Sequence, residues 1–378
     1  MAIRYQVVRG DCRSVLRELR DECVDSFPCD PPYGIGFMSS GWDYAVPGPE
    51  YWAECLRVAK PGAHLAAFGG TKTSHRLACA IEDAGWELRD TLYWLQGEGM
   101  PKGPSTSRQG MDGRATCLKP AVEPIVLARK PFRGSVLGNL ARYGTGALWI
   151  DACRIPTGTV DFEKLRRGVE AIRRRGGVRG NSWANDSDLS GANPANPLGR
   201  WPANVILDSD VAAELDALVG DRPGMSGGGQ HAASGADSGM FGAVDGNVSH
   251  IRADSGGPSK YFYVPKAKPN EREAGLDDFP WRRIGDGRAV AADTPHQRGK
   301  KLRKNPHPTV KPISLMEWVV KLITPPGGLA VDPFCGSGST GCAAVSLGYR
   351  FLGIDLDREN FYCDIARARI AHWTGVEK

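Results

Sequence analysis

No stretch of this 378-residue chain approaches the roughly 20 consecutive apolar residues that a membrane-spanning helix needs. The first residues, MAIRYQVVRGD, enter a strand-like pattern without the apolar core of a secretion signal. A cytoplasmic protein with no membrane partner is the expectation. No CxxC pair occurs among the ten cysteines (Cys12, Cys23, Cys29, Cys55, Cys79, Cys117, Cys153, Cys335, Cys342, Cys363), and none is spaced with histidine as zinc ligands are. They read as reduced thiols, mostly in the core, and no metal site is expected. No fixed-period repeat is present, which argues against a solenoid. Disorder throughout is excluded by composition: 41% hydrophobic and 24% charged residues suffice for one large domain or two moderate ones.

Three zones follow one another. Up to about residue 130, short apolar strands (5–8, 24–27, 63–68, 87–94, 122–127) alternate with helical stretches (13–19, 50–58, 72–84), the pattern of βα units on a parallel sheet. Trp52, Trp86 and Trp94 fall on these elements and read as core. From about 140 to 305 the composition turns to Gly, Ser, Asn, Asp and Pro, and long loops are expected. After about 306 the βα pattern returns, with a helix at 314–323, strands at 329–331 and 351–354, a helix after Ser339 and a last helix from Arg358 onward.

Charge follows the same division. Residues 129–180 carry twelve Lys/Arg against four Asp/Glu and residues 281–311 carry nine against two, whereas the whole chain is only +5. Basic residues concentrated in the middle of an otherwise acidic chain point to a polyanion, because phosphates attract Lys/Arg and binding releases counterions. Taken alone, RRGVEAIRRRGG also fits a solvated helix face. The aromatics between lysines in KYFYVPKAK suit base stacking, or a strand returning to the core.

Two short stretches carry chemistry. In FPCDPPYGIGF, an acid, two prolines and a ring (Asp30, Pro31, Pro32, Tyr33) follow an apolar run; by composition alone this could be a turn. In GGLAVDPFCGSGSTGCAAVSLGYRFLGIDLD, a strand ends at Asp332, a GxGxxG turn follows (Gly336, Gly338, Gly341), and the next strand ends at Asp355. Such glycines permit a tight turn and close backbone approach, and an acid at the next strand tip can grip ribose hydroxyls. A dinucleotide-dependent oxidoreductase would use the same turn. Asp332 at the strand tip would repel a pyrophosphate but suits a cation such as a sulfonium. No lysine follows the glycines, which disfavours a Walker loop. Both Asp-Pro pairs follow apolar strands, and in a doubly wound sheet such strand ends share one ligand cleft at the topological switch point.

DPPYG near the start and HPTVKPISLMEWVVKLITPPGGLAVDPFCGSGSTG near the end resemble the S-adenosylmethionine-dependent amino-group DNA methyltransferases, in the permuted β-group order with the catalytic motif first and the cofactor loop last. The resemblance covers residues 1 to about 130 and 306 to about 372. It implies an α/β fold: a doubly wound, mostly parallel class I methyltransferase (Rossmann-like) sheet, circularly permuted. Residues 1–135 and 306–378 would form the methyltransferase domain, and 136–305 an inserted target-recognition region. It implies S-adenosyl-L-methionine as cofactor and double-stranded DNA as partner; a homodimer and a cognate restriction enzyme are further expectations.

By the same resemblance, Asp30 and the Pro31 carbonyl accept hydrogen bonds from the target amine, Pro32 stiffens the turn, and Tyr33 stacks on the flipped base. Asp11 would reach the cofactor's adenine, with Cys12 adding its backbone. Asp30 and Asp332 would lie beside the methyl-donor end, Phe334, Cys335, Gly336, Ser337 and Gly338 would form the loop, and Asp355 would hold the ribose. His307, Thr309 and Lys311 would surround the methionine moiety; His307 also fits an ordinary loop histidine. Trp42 and Asp43 could close over the base, although a packing Trp is an equal reading. Asp rather than Ser at the head of the catalytic motif leans toward adenine N6, with cytosine N4 as the alternative. RNA methylation and non-catalytic DNA binding are the other rivals.

Overall fold

The alternation read from the sequence becomes a twisted sheet because strands with both faces apolar must be covered by helices on both sides. The computed structural model describes residues 4–36, 43–97, 99, 115–156, 198–221, 256–265, 270–283 and 302–374. Its strands are β1 (Tyr5–Arg9), β2 (Val24–Cys29), β3 (Ala59–Phe68), β4 (Glu87–Leu95), β5 (Val122–Arg129), β6 (Val205–Leu207), β7 (Arg282–Arg283), β8 (Leu302–Arg303), β9 (Leu329–Asp332) and β10 (Arg350–Asp355). The α-helices are α1 (Cys12–Arg17), α2 (Pro49–Val58), α3 (Ser74–Asp83), α4 (Val136–Tyr143), α5 (Ser209–Val219), α6 (Ile313–Ile323), α7 (Ser339–Ser346) and α8 (Tyr362–Thr374).

Eight strands form one mostly parallel sheet in the order β1-β10-β9-β2-β3-β5-β4-β6. The strand β5 runs antiparallel to both β3 and β4. A purely parallel set of βα units therefore does not hold here. An antiparallel neighbour does not require the helical crossover that a parallel one needs. Winding outward in opposite senses, β9-α7-β10 and β2-α2-β3 leave the switch point between the adjacent strands β9 and β2. The helices α1, α2 and α3 pack together beside β2 and β3, burying Leu16, Trp52, Val58, Leu77 and Ile81 with Phe27 and Leu65. On the other side lie α6, α7 and α8, with α6 against β2 and β3. Trp52, Trp86 and Trp94 are buried as expected, and the Trp86 indole N–H donates to the Trp52 carbonyl at 3.0 Å.

The last helix begins at Tyr362, not at Arg358. Asp357 and Asn360 have positive φ values of 40° and 58°, outside helical geometry. The Asp357 carboxylate accepts from the N–H groups of Phe361, Tyr362 and Cys363, satisfying the first turn of the helix.

The chain divides into two compact units, residues 1–153, 204–211 and 264–378 in one and 154–203 and 212–263 in the other. The edge strand β6, inside the span read as loops, belongs to the first. In the second, Ile155 and Arg200 form an antiparallel bridge, and Asp216 accepts from the backbone N–H of Ser259 at 2.8 Å and from its hydroxyl at 2.6 Å. Lys260 and Tyr261 of KYFYVPKAK lie in a 3-10 turn, Pro258–Tyr261, rather than in a strand. Trp42, the basic stretch at 166–177, Lys266, Lys268 and most of the glycine-rich stretch 221–259 lie outside the described residues.

Candidate active site

The ends of β1, β10, β9 and β2 open into one cleft of about 1450 Å³. Asp30 follows directly on β2, a strand buried along its whole length, and Asp332 is the last residue of β9. Asp30, Pro31, Pro32, Tyr33, Asp332, Phe334, Gly336 and Lys311 all line the cleft, as do Asp11, Cys12, His307, Thr309, Cys335, Ser337 and Asp355. Of the expected residues, Gly338 is not a lining residue; it starts α7, where its φ of 85° suits glycine and an added Cβ would lie 3.0 Å from Ala366.

The DPPY turn is held from below. One carboxylate oxygen of buried Asp43 accepts from the backbone N–H groups of Tyr33 (2.6 Å) and Gly34 (2.9 Å). Thr73 donates its hydroxyl to the Tyr33 carbonyl at 2.5 Å. These contacts fix the direction of the DPPY segment, so Asp43 acts as a brace within the described residues.

Around Asp30 lies a compact charged cluster. The Lys311 ammonium donates to Asp30 Oδ2 at 2.6 Å and to the Tyr33 hydroxyl at 3.0 Å, and is 3.3 Å from Glu123 Oε2. The Tyr33 hydroxyl is 2.9 Å from Asp30 Oδ1 and 2.8 Å from Glu123 Oε2. Gln96 donates to the other Glu123 oxygen at 2.8 Å. Burial raises the Asp30 carboxyl above its ordinary value, with Lys311 pulling down and Glu123 pushing up. Burial also pushes Glu123 up, but Lys311 and the Tyr33 hydroxyl outweigh it and hold that carboxyl below its ordinary value. Lys311, placed near the methionine moiety by the sequence reading, has its ammonium on the Asp30 carboxylate.

The glycine loop after β9 is tied down largely through its backbone N–H groups. Asp332 Oδ1 accepts from Phe334 N at 3.0 Å and Oδ2 from the Thr340 hydroxyl at 2.5 Å. Asp355 accepts from Gly336 N and Asp357 N, both at 2.7 Å, so the loop is tied to the tip of β10. Gly336 has φ 52°, and a Cβ there would lie 2.9 Å from His307 Nε2. Phe334 packs 5.7 Å from the Trp52 ring and 6.3 Å from that of Tyr51. Buried Arg369 donates to the Ser337 carbonyl at 2.6 Å and to its hydroxyl at 3.2 Å, supporting the loop from α8. Burial drives the Cys335 thiol well up, leaving a neutral packing group.

At the far rim, Asp11 caps α1 by accepting from Arg13 N at 2.9 Å, and the Arg13 guanidinium holds its carboxyl below the usual range. Burial pushes the Cys12 thiol up to about 12, so only its backbone is a polar group at neutral pH. His307, pushed down to about 3 by burial, is neutral; its Nδ1 accepts from Thr309 N at 3.4 Å, and its ring meets Tyr362 edge-on at 4.8 Å.

Asp332 tests whether a cationic cofactor fits. Burial pushes its carboxyl up to about 7, and no ion pair to it occurs among the described residues. A buried carboxylate without a counter-cation is costly, and an ammonium or sulfonium group would offset that cost. Beside it, the glycine turn admits close backbone approach. Among the described residues, no group of three or more His, Cys, Asp or Glu could hold a metal ion, and no helix is long and apolar enough to cross a membrane.

A model of the DNA methylase family N6_N4_Mtase matches residues 24–368, nearly the whole chain. The chain belongs to this DNA methylase family. Membership brings S-adenosyl-L-methionine as the methyl-donating cofactor, in agreement with the cation-seeking Asp332. Over 91 residues, 24% of this chain and 33% of the relative, it is 40% identical to the type II methyltransferase M2.DpnII of Streptococcus pneumoniae. Over 72 residues, 19% of this chain and 24% of the relative, it is 35% identical to the DNA adenine methyltransferase YhdJ of Escherichia coli K12. The chain therefore spans only about a third and a quarter of the length of these curated relatives. Among solved structures, the M1.HpyAVI–SAM complex is similar over 97% of this chain and 99% of that one, with a TM-score of 0.41 and 14% identity.

Sequence reasoning missed Glu123, Gln96, Thr340 and Arg369, and assigned Asp43 only a place near the base. Thr340 stands at a variable position of the GxGxxG turn, and the other four belong to no local motif. Glu123 is the second residue of β5, and its register opposite Trp94 sets it at the cleft.

Proposed function

We propose that this chain is a site-specific DNA methyltransferase that transfers a methyl group from S-adenosyl-L-methionine to the exocyclic N6 of an adenine flipped out of duplex DNA. The observation that carries this reading is the meeting of two Asp-Pro strand ends, Asp30-Pro31 and Asp332-Pro333, at one cleft in a chain of the DNA methylase family. An aromatic exocyclic amine is a poor nucleophile because its lone pair is delocalised. Asp30 and the Pro31 carbonyl accept hydrogen bonds from its two N–H groups and favour a tetrahedral nitrogen, with the prolines limiting backbone movement. Tyr33 offers its ring face to the base, offsetting part of the unstacking cost of about a few kcal/mol. When bound, S-adenosyl-L-methionine supplies the electrophilic methyl group. Asp332 would hold its cationic end, Gly336 and Phe334 would line its path, and Asp355 and Asp11 would take the ribose and adenine.

Adenine is favoured over cytosine N4 by Asp at the head of DPPY and by the name of the YhdJ relative. The β-group order, with 136–305 in large part recognising the target, accords with the basic charge of that span. A cognate nuclease is in keeping with the type II relative. Long-read sequencing of DNA from a methylation-free host tests the proposal, with nucleoside mass spectrometry and an Asp30→Ala control. N6-methyladenine at one short motif, present only with the intact chain, is the expected result. N4-methylcytosine would overturn the choice of base, and no mark in either sample would overturn the DNA reading.

A further inference from the structure

Both oxygens of the Asp30 carboxylate are occupied from within the protein, Oδ2 by Lys311 at 2.6 Å and Oδ1 by the Tyr33 hydroxyl at 2.9 Å. On the methylase reading, on which this inference rests, an incoming amine must share this carboxylate with those donors, and an oxygen already bound to an ammonium is a weaker acceptor for it. Lys311 is only 7% exposed at its side chain. An ammonium so placed cannot simply be set aside, because a buried charge without a partner is strongly disfavoured. Glu123 Oε2 lies 3.3 Å from that ammonium and 2.8 Å from the same hydroxyl. The hydroxyl has one proton and two carboxylates within reach, so it can serve only one of them at a time. Gln96 fixes the other Glu123 oxygen at 2.8 Å, which keeps Oε2 turned toward Lys311. The Phe68 ring, 5.1 Å from the ammonium, bounds its movement on another side.

We propose that Glu123 is a positioning residue that takes Lys311 and the Tyr33 hydroxyl off Asp30 when the target amine enters, so that Asp30 is freed without leaving a buried ammonium unpaired. Two carboxylates and one ammonium also give the cluster one net negative charge, complementary to an amine that becomes positive as it accepts a methyl group. A role confined to packing would require neither the second carboxylate nor its sharing of both donors.

Steady-state methylation with Glu123→Gln, Lys311→Met and the double variant tests this, with thermal melting and S-adenosylmethionine titration on each. The amide in Glu123→Gln cannot take Lys311 as an anion does. Its kcat should fall roughly 10- to 100-fold, the size usual for groups that orient a reacting residue, with cofactor affinity retained. Adding Lys311→Met to Glu123→Gln should raise kcat again, because the cation left on Asp30 is gone. The groups facing Asp30 are Lys311, Glu123, the Tyr33 hydroxyl and, across the cleft, Asp332. Since Lys311 lowers and Glu123 raises the Asp30 carboxyl, the acid limb of kcat/KM should move to higher pH in Lys311→Met and to lower pH in Glu123→Gln. Wild-type kcat in Glu123→Gln, shifts of the same sign in the two single variants, or a double variant no faster than Glu123→Gln would each overturn the inference alone. An intact protein that methylates no DNA would overturn the underlying reading with it. If Glu123→Gln does not fold, Glu123→Asp, which withdraws the charge by one methylene, takes its place: a lowered kcat partly restored by Lys311→Met supports the inference, and an unchanged kcat overturns it.

Discussion

At the scale of single residues, the two acids at the strand tips differ in what neutralises them. Asp30 has Lys311 beside it, whereas Asp332 has two hydrogen bonds and, among the described residues, no cation, which is why burial lifts it to about 7. A cationic ligand binds the ionised form, so S-adenosylmethionine affinity should rise about tenfold per pH unit up to near 7 and then level off. Isothermal titration across that range measures it, and Asp332→Asn should bind weakly with the pH dependence gone. A flat profile in the intact chain would rule out Asp332 as the titrating group. In the free protein the sign reverses for stability. A carboxyl with a raised folded value contributes fully below its ordinary value, and that contribution is lost as pH rises through about 7. Melting temperatures with and without cofactor should therefore diverge as pH increases.

At the scale of elements, the glycine loop before α7 depends on how closely α7 lies against α8 and β10. A Cβ on Gly341 would lie 2.6 Å from the Phe351 ring and closer still to Ile370. Gly341→Ala should cost about 1–3 kcal/mol, the usual range for overpacking, as a lower urea midpoint with unchanged slope; stability within error of the parent would show that α8 yields freely. Elements like these were legible in the sequence because apolar runs and glycine turns are local signals. Strands β1, β2, β3, β9 and β10 fall within a few residues of their expected places, and the cleft gathers Asp30, Tyr33, Asp332 and Asp355 as the paired motifs imply. Illegible features depend on distant partners. The strand β6 has only three residues, Val205–Leu207, in a polar surround, and exists through pairing with Tyr93–Leu95. Glu123 bears no sequence mark, since its role comes from a lysine 188 positions away brought to 3.3 Å by the fold.

At the scale of the whole molecule, an overall charge of +5 conceals the basic middle of the chain. If Arg173, Arg174 and Arg175 neutralise phosphates, replacing all three with alanine should reduce the slope of log affinity against log salt by about 0.9 for each phosphate left without its arginine. Fluorescence anisotropy with an unrelated duplex measures this, and an unchanged slope would return that stretch to a solvated helix face. The sheet itself joins parts of the chain that are made far apart in time. Residues 5–9 pair with 351–355, and the switch-point seam is carried by the single register pair Ser26–Ala330, the Ser26–Thr324 hydroxyl bond at 2.7 Å and Asp25 accepting from Leu329 N at 2.7 Å. A ribosome synthesising this protein thus releases the segment that carries DPPY with the edges of β1 and β2 still lacking β10 and β9. Closure awaits the C-terminal segment. Such long-range pairing slows folding and leaves strand edges open to other chains meanwhile. The nascent chain is therefore exposed to aggregation until β9 and β10 have emerged, and the cleft cannot be completed before Asp355 has been made.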